Sequence, residues 1–342
     1  MKRIISILFL LVFIVAIYLA WMIFGSSTAF SEDRKNIFIR TGSNFETVIT
    51  DLQTQQVITH PAIFSFIADK LDYTNNIKAG KYSFKKGESI YSIIKTLKSG
   101  KQTPVNFIIN KIRTKEDLAK KFADNFECSY NEALSLIYNK DTLSKYNLDT
   151  NTVMTIVIPN TYSIFWNTSA PKVFKKLLSE KDKFWTTERK AKANALNLST
   201  VQAYTLASIV EEESNKDDDK GKIASVYLNR IETGMTLGAD PTVRYAMRDF
   251  GLKRIYNKHL NYVSPYNTYK HTGLPPGPIC TPSIKTIDAV LNAPSTSYLY
   301  FAAQPNLTGY HNFSNTYEQH LVYAKQYQQW IEQYLKAKDS IK

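Results

Sequence analysis

Ser199-Thr200-Val201-Gln202-Ala203-Tyr204-Thr205-Leu206-Ala207-Ser208-Ile209-Val210-Glu211-Glu212-Glu213-Ser214 is the stretch on which the reading of this chain turns. Ser199 with Gln202 three residues later is a capping box, in which each side chain satisfies the other's backbone N–H. It predicts a helix from about Thr200 through Ser214. At about 100° per residue, Ala203, Leu206, Ala207, Ile209 and Val210 share one broad apolar face. Glu213 projects roughly 50° from the centre of that face, between Leu206 and Ile209. Glu211 and Glu212 point roughly 110° and 150° away, toward solvent or a flanking element. A carboxyl held against apolar neighbours has its charged form disfavoured, so its pKa rises and it can donate a proton near neutral pH. The competing reading is a helix-end Glu that turns out to water or pairs with Lys220 or Lys222. The wheel alone leaves both open.

Outward from this helix, the pattern is α+β. Toward the N-terminus, Asn36 to Thr41 alternates like a strand, Ser43-Asn44-Phe45-Glu46 is a capping box opening a helix to about Gln53, and Pro61 to Leu71 starts a second helix with Pro in its first turn. Gly80 to Phe84 reads as a strand. Ser89 to Ser99 reads as a helix with Ile90, Ile93, Ile94 and Leu97 on one face, closed by Gly100. Thr103 to Ile109 is a further strand, with helices at about Thr114 to Phe126, Ser129 to Tyr138, Pro171 to Leu178 and Thr187 to Ala195, and a turn at Pro159-Asn160-Thr161-Tyr162. Between Asp240 and Asn315 the composition in Pro, Asn, Thr and Tyr suggests a loop-lined cleft. A last helix, Thr316 to Ala337, should bury a stripe of Leu321, Ala324, Tyr327, Ile331 and Tyr334.

The extreme N-terminus has a different character. Met1-Lys2-Arg3 precedes an apolar run of 21 residues, Ile4 to Phe24, with Ser6 its one strongly polar member. At about 1.5 Å per residue this is roughly 30 Å, the hydrocarbon thickness of a bilayer. A cleaved signal peptide has a shorter apolar region, of about 7–15 residues. Lys2 and Arg3 ahead of the run keep the N-terminus in the cytoplasm and everything after Ser26 outside it.

The formal net charge of +13 favours anionic partners. With no paired Cys/His spacing and no RRM-type aromatic motif, nucleic acid is set aside in favour of wall polymer or membrane surface; a merely solvated basic face is the bland alternative. Cys128 and Cys280 are too far apart for a zinc motif and leave open one long-range bridge or two core thiols. The chain has no Walker A, G-x-G-x-x-G, G-x-S-x-G or H-E-x-x-H motif, and its five His include no i,i+4 pair. No cofactor and no metal is expected.

Ala207-Ser208-Ile209-Val210-Glu211-Glu212-Glu213 resembles the A-S-I-V-E-x-E motif of the MltG (YceG-like) endolytic murein transglycosylase family. So do, in order, Ile223-Ala224-Ser225-Val226-Tyr227-Leu228-Asn229-Arg230, Gly234-Met235, Asp240-Pro241-Thr242-Val243 with Tyr245, Ser264-Pro265-Tyr266-Asn267-Thr268-Tyr269, Gly273-Leu274-Pro275-Pro276-Gly277-Pro278-Ile279, Tyr298-Leu299-Tyr300-Phe301, His311 with Phe313-Ser314, and His320. Ala79 to Phe84, Gly87-Glu88-Ser89 and Leu97 to Gly100 resemble that family's LysM-like subdomain. Gly238 and Ala239 depart from the family's usual Gln and small residue, and Asn160 stands where it often has Asp.

The resemblance implies an anchor over residues 1–30, a LysM-like subdomain over 31–104 and a YceG-like catalytic domain over 105–342. It implies cleavage of peptidoglycan strands at the MurNAc–GlcNAc β-1,4 bond, in the cytoplasmic membrane with the catalytic part outside. Peptidoglycan synthases and penicillin-binding proteins are the partners it suggests. Glu213 takes the catalytic position, the second Glu of E-x-E. Asp240, Thr242, Tyr266, Asn267, Thr268, Tyr269 and Glu211 are the candidate substrate contacts. Each has a plainer alternative. Asp240 suits a helix cap, Tyr266 to Tyr269 an aromatic-packed turn, and Glu211 a solvated surface; His311 is read as holding a loop. A hydrolase with Asp240 or Glu211 positioning water, and a non-enzymatic wall-binding factor, are the rival functions.

Overall fold

The computed structural model describes residues 2–252 and 254–339; Met1, which opens the positively flanked start, lies outside them. In chain order the elements are α1 (Lys2–Phe24), β1 (Arg34–Ile39), α2 (Phe45–Thr54), α3 (Pro61–Lys70), β2 (Gly80–Lys85), α4 (Ile90–Ser99), β3 (Val105–Ile109), α5 (Lys115–Asn125), α6 (Tyr130–Tyr138) and α7 (Lys140–Ser144). There follow β4 (Asn160–Ile164), α8 (Ala170–Phe184), α9 (Thr187–Ala195), α10 (Thr200–Glu213), α11 (Asp217–Glu232), α12 (Asp240–Met247), α13 (Asn257–Leu260), α14 (Ile284–Leu291), β5 (Tyr300–Ala303), β6 (His311–Ser314) and α15 (Tyr317–Asp339). The class is mixed α+β with an apolar N-terminal helix, as expected. Two compact units divide it. One holds the residues up to Phe107 with Ala123–Ser129 and Tyr162–Ser169; the other holds Ile108–Phe122, Tyr130–Thr161 and what is described from Ala170 onward.

In the first unit, β1 and β2 pair antiparallel from Arg34 opposite Lys85 to Ile39 opposite Gly80. Ile37, Ile39, Tyr82 and Phe84 are buried, the period-2 pattern of a sheet with one dry face. Helix α4 closes that face with Ile90, Ile93, Ile94 and Leu97, none of them exposed. Burying each such side chain is worth about 1.5–3 kcal/mol. Ser89 caps α4 by accepting from the Ser92 N–H, and Gly100 ends it at φ +70°, a left-handed conformation costly for residues with a Cβ. The cap of α2 is Asn44 rather than Ser43, its side chain accepting from the Thr47 N–H. The expected capping box is therefore not formed.

In the second unit, α10 is the central element. Its capping box is present, with Ser199 Oγ accepting from Gln202 N–H at 3.2 Å and Gln202 Oε1 from Ser199 N–H at 2.8 Å. Every residue from Ala203 to Val210 is buried, so the helix is enclosed on all sides rather than on one face. The cause is tertiary: α9, α11, α12 and α14 all pack against it. Its small polar residues bond inward, with Ser208 Oγ donating to Thr205 O at 2.7 Å and accepting from the Ile279 N–H at 3.0 Å. Asp217, Asp218 and Asp219 occupy the first turn of α11, where the helix dipole favours negative charge.

Three other expectations change. Residues 160–162 begin strand β4 instead of a turn. The stretch Asp240 to Asn315 contains α12, α13, α14, β5 and β6 as well as loops. The stripe on α15 is half-buried at best, and Leu321 is 49% exposed. Cys280, buried, and Cys128, half-buried, are not joined by a disulfide.

Candidate active site

Glu213 is the last residue of α10, so its side chain leaves the enclosed helix where the packing opens. It lines a cleft of about 490 Å³ with Tyr227 and Arg230 from α11, Leu237 and Gly238 from the following loop, Asp240 from α12, and Tyr269. Tyr300, Phe301, Tyr317 and His320 complete the wall from β5 and α15. A larger hollow of about 680 Å³ beside Tyr146, Lys175 and Lys183 is an open depression. No buried carboxyl faces it, so the chemistry belongs to the smaller cleft.

Burial pushes the Glu213 carboxyl up from 4.5 to about 7. The Asp240 charge adds to this; the Tyr227 hydrogen bond, Arg244 and Arg230 pull the other way. The Tyr227 hydroxyl donates to Glu213 Oε1 at 2.6 Å. Tyr227 is itself 1% exposed and stands edge-on to Phe301, with ring centroids 5.9 Å apart. Burial and the Glu213 charge raise its own pKa well above 10, so it remains a donor. Neither lysine named in the competing reading holds Glu213: Lys220 lies 3.5 Å from Glu211 and 3.2 Å from Asp217.

Asp240 does not cap its helix. The N-cap of α12 is Ala239, without a side-chain cap bond, and Asp240 Oδ1 accepts the Tyr269 hydroxyl at 2.6 Å. Arg230 is held by two carbonyls, Nε donating to Leu299 O at 2.7 Å and Nη1 to Leu237 O at 2.6 Å, with its guanidinium 5.3 Å from the Tyr300 ring centre. That anchoring fixes the cleft wall and leaves a cation near two carboxyl groups. Burial, and then Arg230, lower the His320 pKa, so its imidazole is neutral at pH 7. Aromatic faces surround the raised Glu213 carboxyl in this cleft, an arrangement suited to stacking a ring-shaped ligand and passing it a proton.

Of the substrate contacts named from sequence, Asp240 and Tyr269 join Glu213 in the wall. The rest serve elsewhere. Thr242 and Thr268 are fully buried, share a 2.8 Å hydroxyl–hydroxyl bond, and hold the start of α12 through the Ala239 carbonyl (2.7 Å) and N–H (3.0 Å). Asn267 is buried and donates to the carbonyls of Leu260 and Tyr262. Tyr266 packs on Tyr245 at 4.8 Å, its hydroxyl 3.4 Å from Asn151 Oδ1. Glu211 bonds Ser283 at 3.1 Å, Thr286 and Lys220. Glu212 reaches a flanking element instead of solvent, pairing with Lys111 at 2.9 Å and Arg113 at 3.1 Å. His311, read as holding a loop, ties the start of β6 to the first turn of α11, its N–H and ring Nδ1 meeting Asp219 at 2.8 and 3.1 Å. Sequence reasoning gave Tyr227, Arg230, Tyr300, Phe301, Tyr317 and His320 no role. All but Tyr317 stood inside the quoted family motifs, and Tyr227 and Arg230 share one helix face at i,i+3, signals that could have singled them out.

The fold and the cleft thus define a class of protein, an α+β scaffold presenting a buried acid among aromatic side chains. A profile of the YceG-like family matches residues 37–326, and the chain belongs to that family. It is 30% identical over 307 residues to the endolytic murein transglycosylase of Bacillus subtilis strain 168, covering 85% of this chain and 84% of that one. It is 29% identical over 321 residues to the endolytic murein transglycosylase of Streptococcus pneumoniae serotype 2, spanning 82% of this chain and 56% of that longer protein. A crystal structure of a yceG-like protein from Listeria monocytogenes superposes with a TM-score of 0.56 at 28% identity, over 85% of this chain and 99% of that one.

Proposed function

We propose that the chain is an endolytic lytic transglycosylase of peptidoglycan, with Glu213 as the single acid/base. The observation that carries this reading is the Glu213 carboxyl, raised to about 7 by burial, in a cleft walled by Tyr269, Tyr300, Phe301 and Tyr317. Protonated Glu213 donates to the oxygen of the MurNAc–GlcNAc β-1,4 bond. The C1–O bond breaks and oxocarbenium character develops at C1. The sugar's own C6 hydroxyl attacks C1 and returns its proton to Glu213. The nucleophile is intramolecular, so its effective concentration is high and no water need be held. Asp240 and Tyr269, joined at 2.6 Å, are the proposed sugar contacts beside it.

The membrane reading rests on α1. Arg3–Phe24 is the one helix among the described residues long and apolar enough to cross a membrane, and its large side chains, such as Phe9 at 75% and Trp21 at 63%, are uncovered. We read it as a single-pass anchor with the rest of the chain outside the cytoplasm. Residues 31–104 serve as the LysM-like subdomain and 105–342 as the catalytic domain. We read the chain's role as ending nascent strands, with peptidoglycan synthases and penicillin-binding proteins as the partners the family resemblance implies.

The hydrolase alternative needs a base for water, and Asp240 is the candidate in the cleft. Digestion of purified sacculi separates the two by mass. Fragments ending in 1,6-anhydroMurNAc are lighter by one water than hydrolysed ones. Reducing MurNAc ends would overturn the transglycosylase reading. Glu213→Gln, which keeps the shape and loses the proton, should lower cleavage about 10²–10⁴-fold.

A further inference from the structure

The residues that leave α1 are built into the first unit. Ser27 N–H and Ser27 Oγ both donate to Glu88 O at 3.0 Å. Ala29 N–H donates to Gln56 O at 2.9 Å, and Gly87 N–H to Thr28 Oγ1 at 2.7 Å. Ser27 is 1% and Phe30 2% exposed, so the strap is pinned at two buried side chains within six residues of Phe24, while Ser26 and Ala29 stay exposed. Phe24 itself packs on Tyr91, with ring centroids 5.4 Å apart. A span of 22 residues is about 33 Å at 1.5 Å per residue, close to the hydrocarbon thickness, so it offers no apolar length to lift the unit away.

What surrounds this exit is basic. Tyr91, Lys95 and Lys98 lie at i, i+4 and i+7 on the exposed side of α4, which carries no acidic residue. Lys85 and Lys86 are exposed just ahead of Gly87, and Arg34 pairs across from Lys85. Lys85, Lys86 and Lys95 make no ion pair among the described residues; Lys98 Nζ is turned onto Leu71 O at 2.5 Å. The acidic groups here are fewer. Glu88 accepts the Lys85 N–H at 2.8 Å and the Ser92 hydroxyl at 3.4 Å, Glu32 pairs with Lys35 at 3.3 Å, and Asp33 adjoins Lys86 through a backbone bond.

We propose that Tyr91, Lys85, Lys86 and Lys95 form a second membrane contact, resting the first unit on anionic lipid headgroups at the foot of its own anchor. The proposal rests on the reading of α1 as a membrane span. A tyrosine beside the end of the span suits the headgroup level, and lysines near an anionic surface each strengthen the contact about fivefold. The rigid strap keeps that face at the surface, where a flexible tether would let it turn away.

The test uses the full chain in vesicles with Cys128→Ser, a fluorophore on Lys95→Cys, and phospholipid spin-labelled at the headgroup as quencher. The distal control is Arg40→Cys, beyond the far end of β1, about 20 Å from the Lys85 end at ~3.3 Å per residue. Vesicles with about one-third phosphatidylglycerol should quench the Lys95 site strongly and the Arg40 site weakly. Lys85→Glu with Lys86→Glu should lower the equilibrium constant of the contact at least about 25-fold, read as lost quenching at Lys95, and about 0.5 M salt should weaken quenching likewise. Equal quenching at both sites, or quenching at Lys95 indifferent to phosphatidylglycerol and salt, overturns the proposal. No quenching at Lys95, with or without phosphatidylglycerol in the vesicles, also overturns it. A label on Val12→Cys, with quencher in the acyl chains, separates the failures: if that site is not quenched, the anchor reading itself has failed.

Discussion

Tyr227→Phe removes one oxygen from the cleft floor and leaves the ring that packs against Phe301 in place. The hydroxyl donates to Glu213 Oε1 at 2.6 Å from a residue that is 1% exposed. A hydrogen bond to a charged group is worth about 1.5–3 kcal/mol, and it favours the ionised carboxylate over the neutral acid. Without it, burial acts unopposed by its main counterweight, and the Glu213 pKa rises above its value of about 7. At about 1.36 kcal/mol per pH unit the rise is about one to two units. Glu213 must be protonated to start the reaction, so the alkaline fall of kcat/KM reports this ionisation in the free enzyme. That fall should lie near pH 7 in the wild type and move to about pH 8–9 in Tyr227→Phe. The assay is release of soluble glycan fragments from sacculi between about pH 5 and 9.5, with Glu213→Gln as the blank. An alkaline limb that stays put while activity drops would make Tyr227 a packing residue only. A limb that moves toward acid would refute the sign of the reasoning.

The same ionisation sets a stability trend. Glu213 titrates near 4.5 when unfolded and near about 7 when folded, so its contribution is fully present below about pH 4.5 and lost as pH rises to about 7. Glu213→Gln should therefore match the wild type in thermal unfolding at pH 4 and exceed it at pH 8, by up to about 3 kcal/mol; an equal gap at both pH values would contradict this. Glu212→Gln is no neutral control, because it breaks pairs with both Lys111 and Arg113. It should lower stability by about 1–2 kcal/mol in denaturant titration while leaving the pH of the alkaline limb unchanged. Gly277→Ala would drive a Cβ into the carbonyl oxygen of Asn151. Backbone must move there, so a loss of about 1–3 kcal/mol is expected, and an unchanged melting temperature would show the loop to be compliant.

Local pattern was enough for several of these features. The box at Ser199–Gln202 and the glycine stop after α4 involve residues within four positions of each other, and the apolar run before Gly25 is one unbroken segment, so sequence and geometry are nearly the same thing there. Glu213 could be singled out for the same reason: its direction relative to Leu206 and Ile209 follows from the helix repeat. Its burial could not be sized that way, because the enclosure of α10 depends on four other helices. Local pattern also could not say which polar groups would be consumed by structure. Glu212 meets Lys111 and Arg113 from about a hundred residues upstream, and Thr242 meets Thr268 across a loop. The cleft is the space that α10, α11 and the β5 and α15 segments leave between them. Tyr300, Phe301, Tyr317 and His320 line it because of where the chain returns, a property no window of the sequence contains.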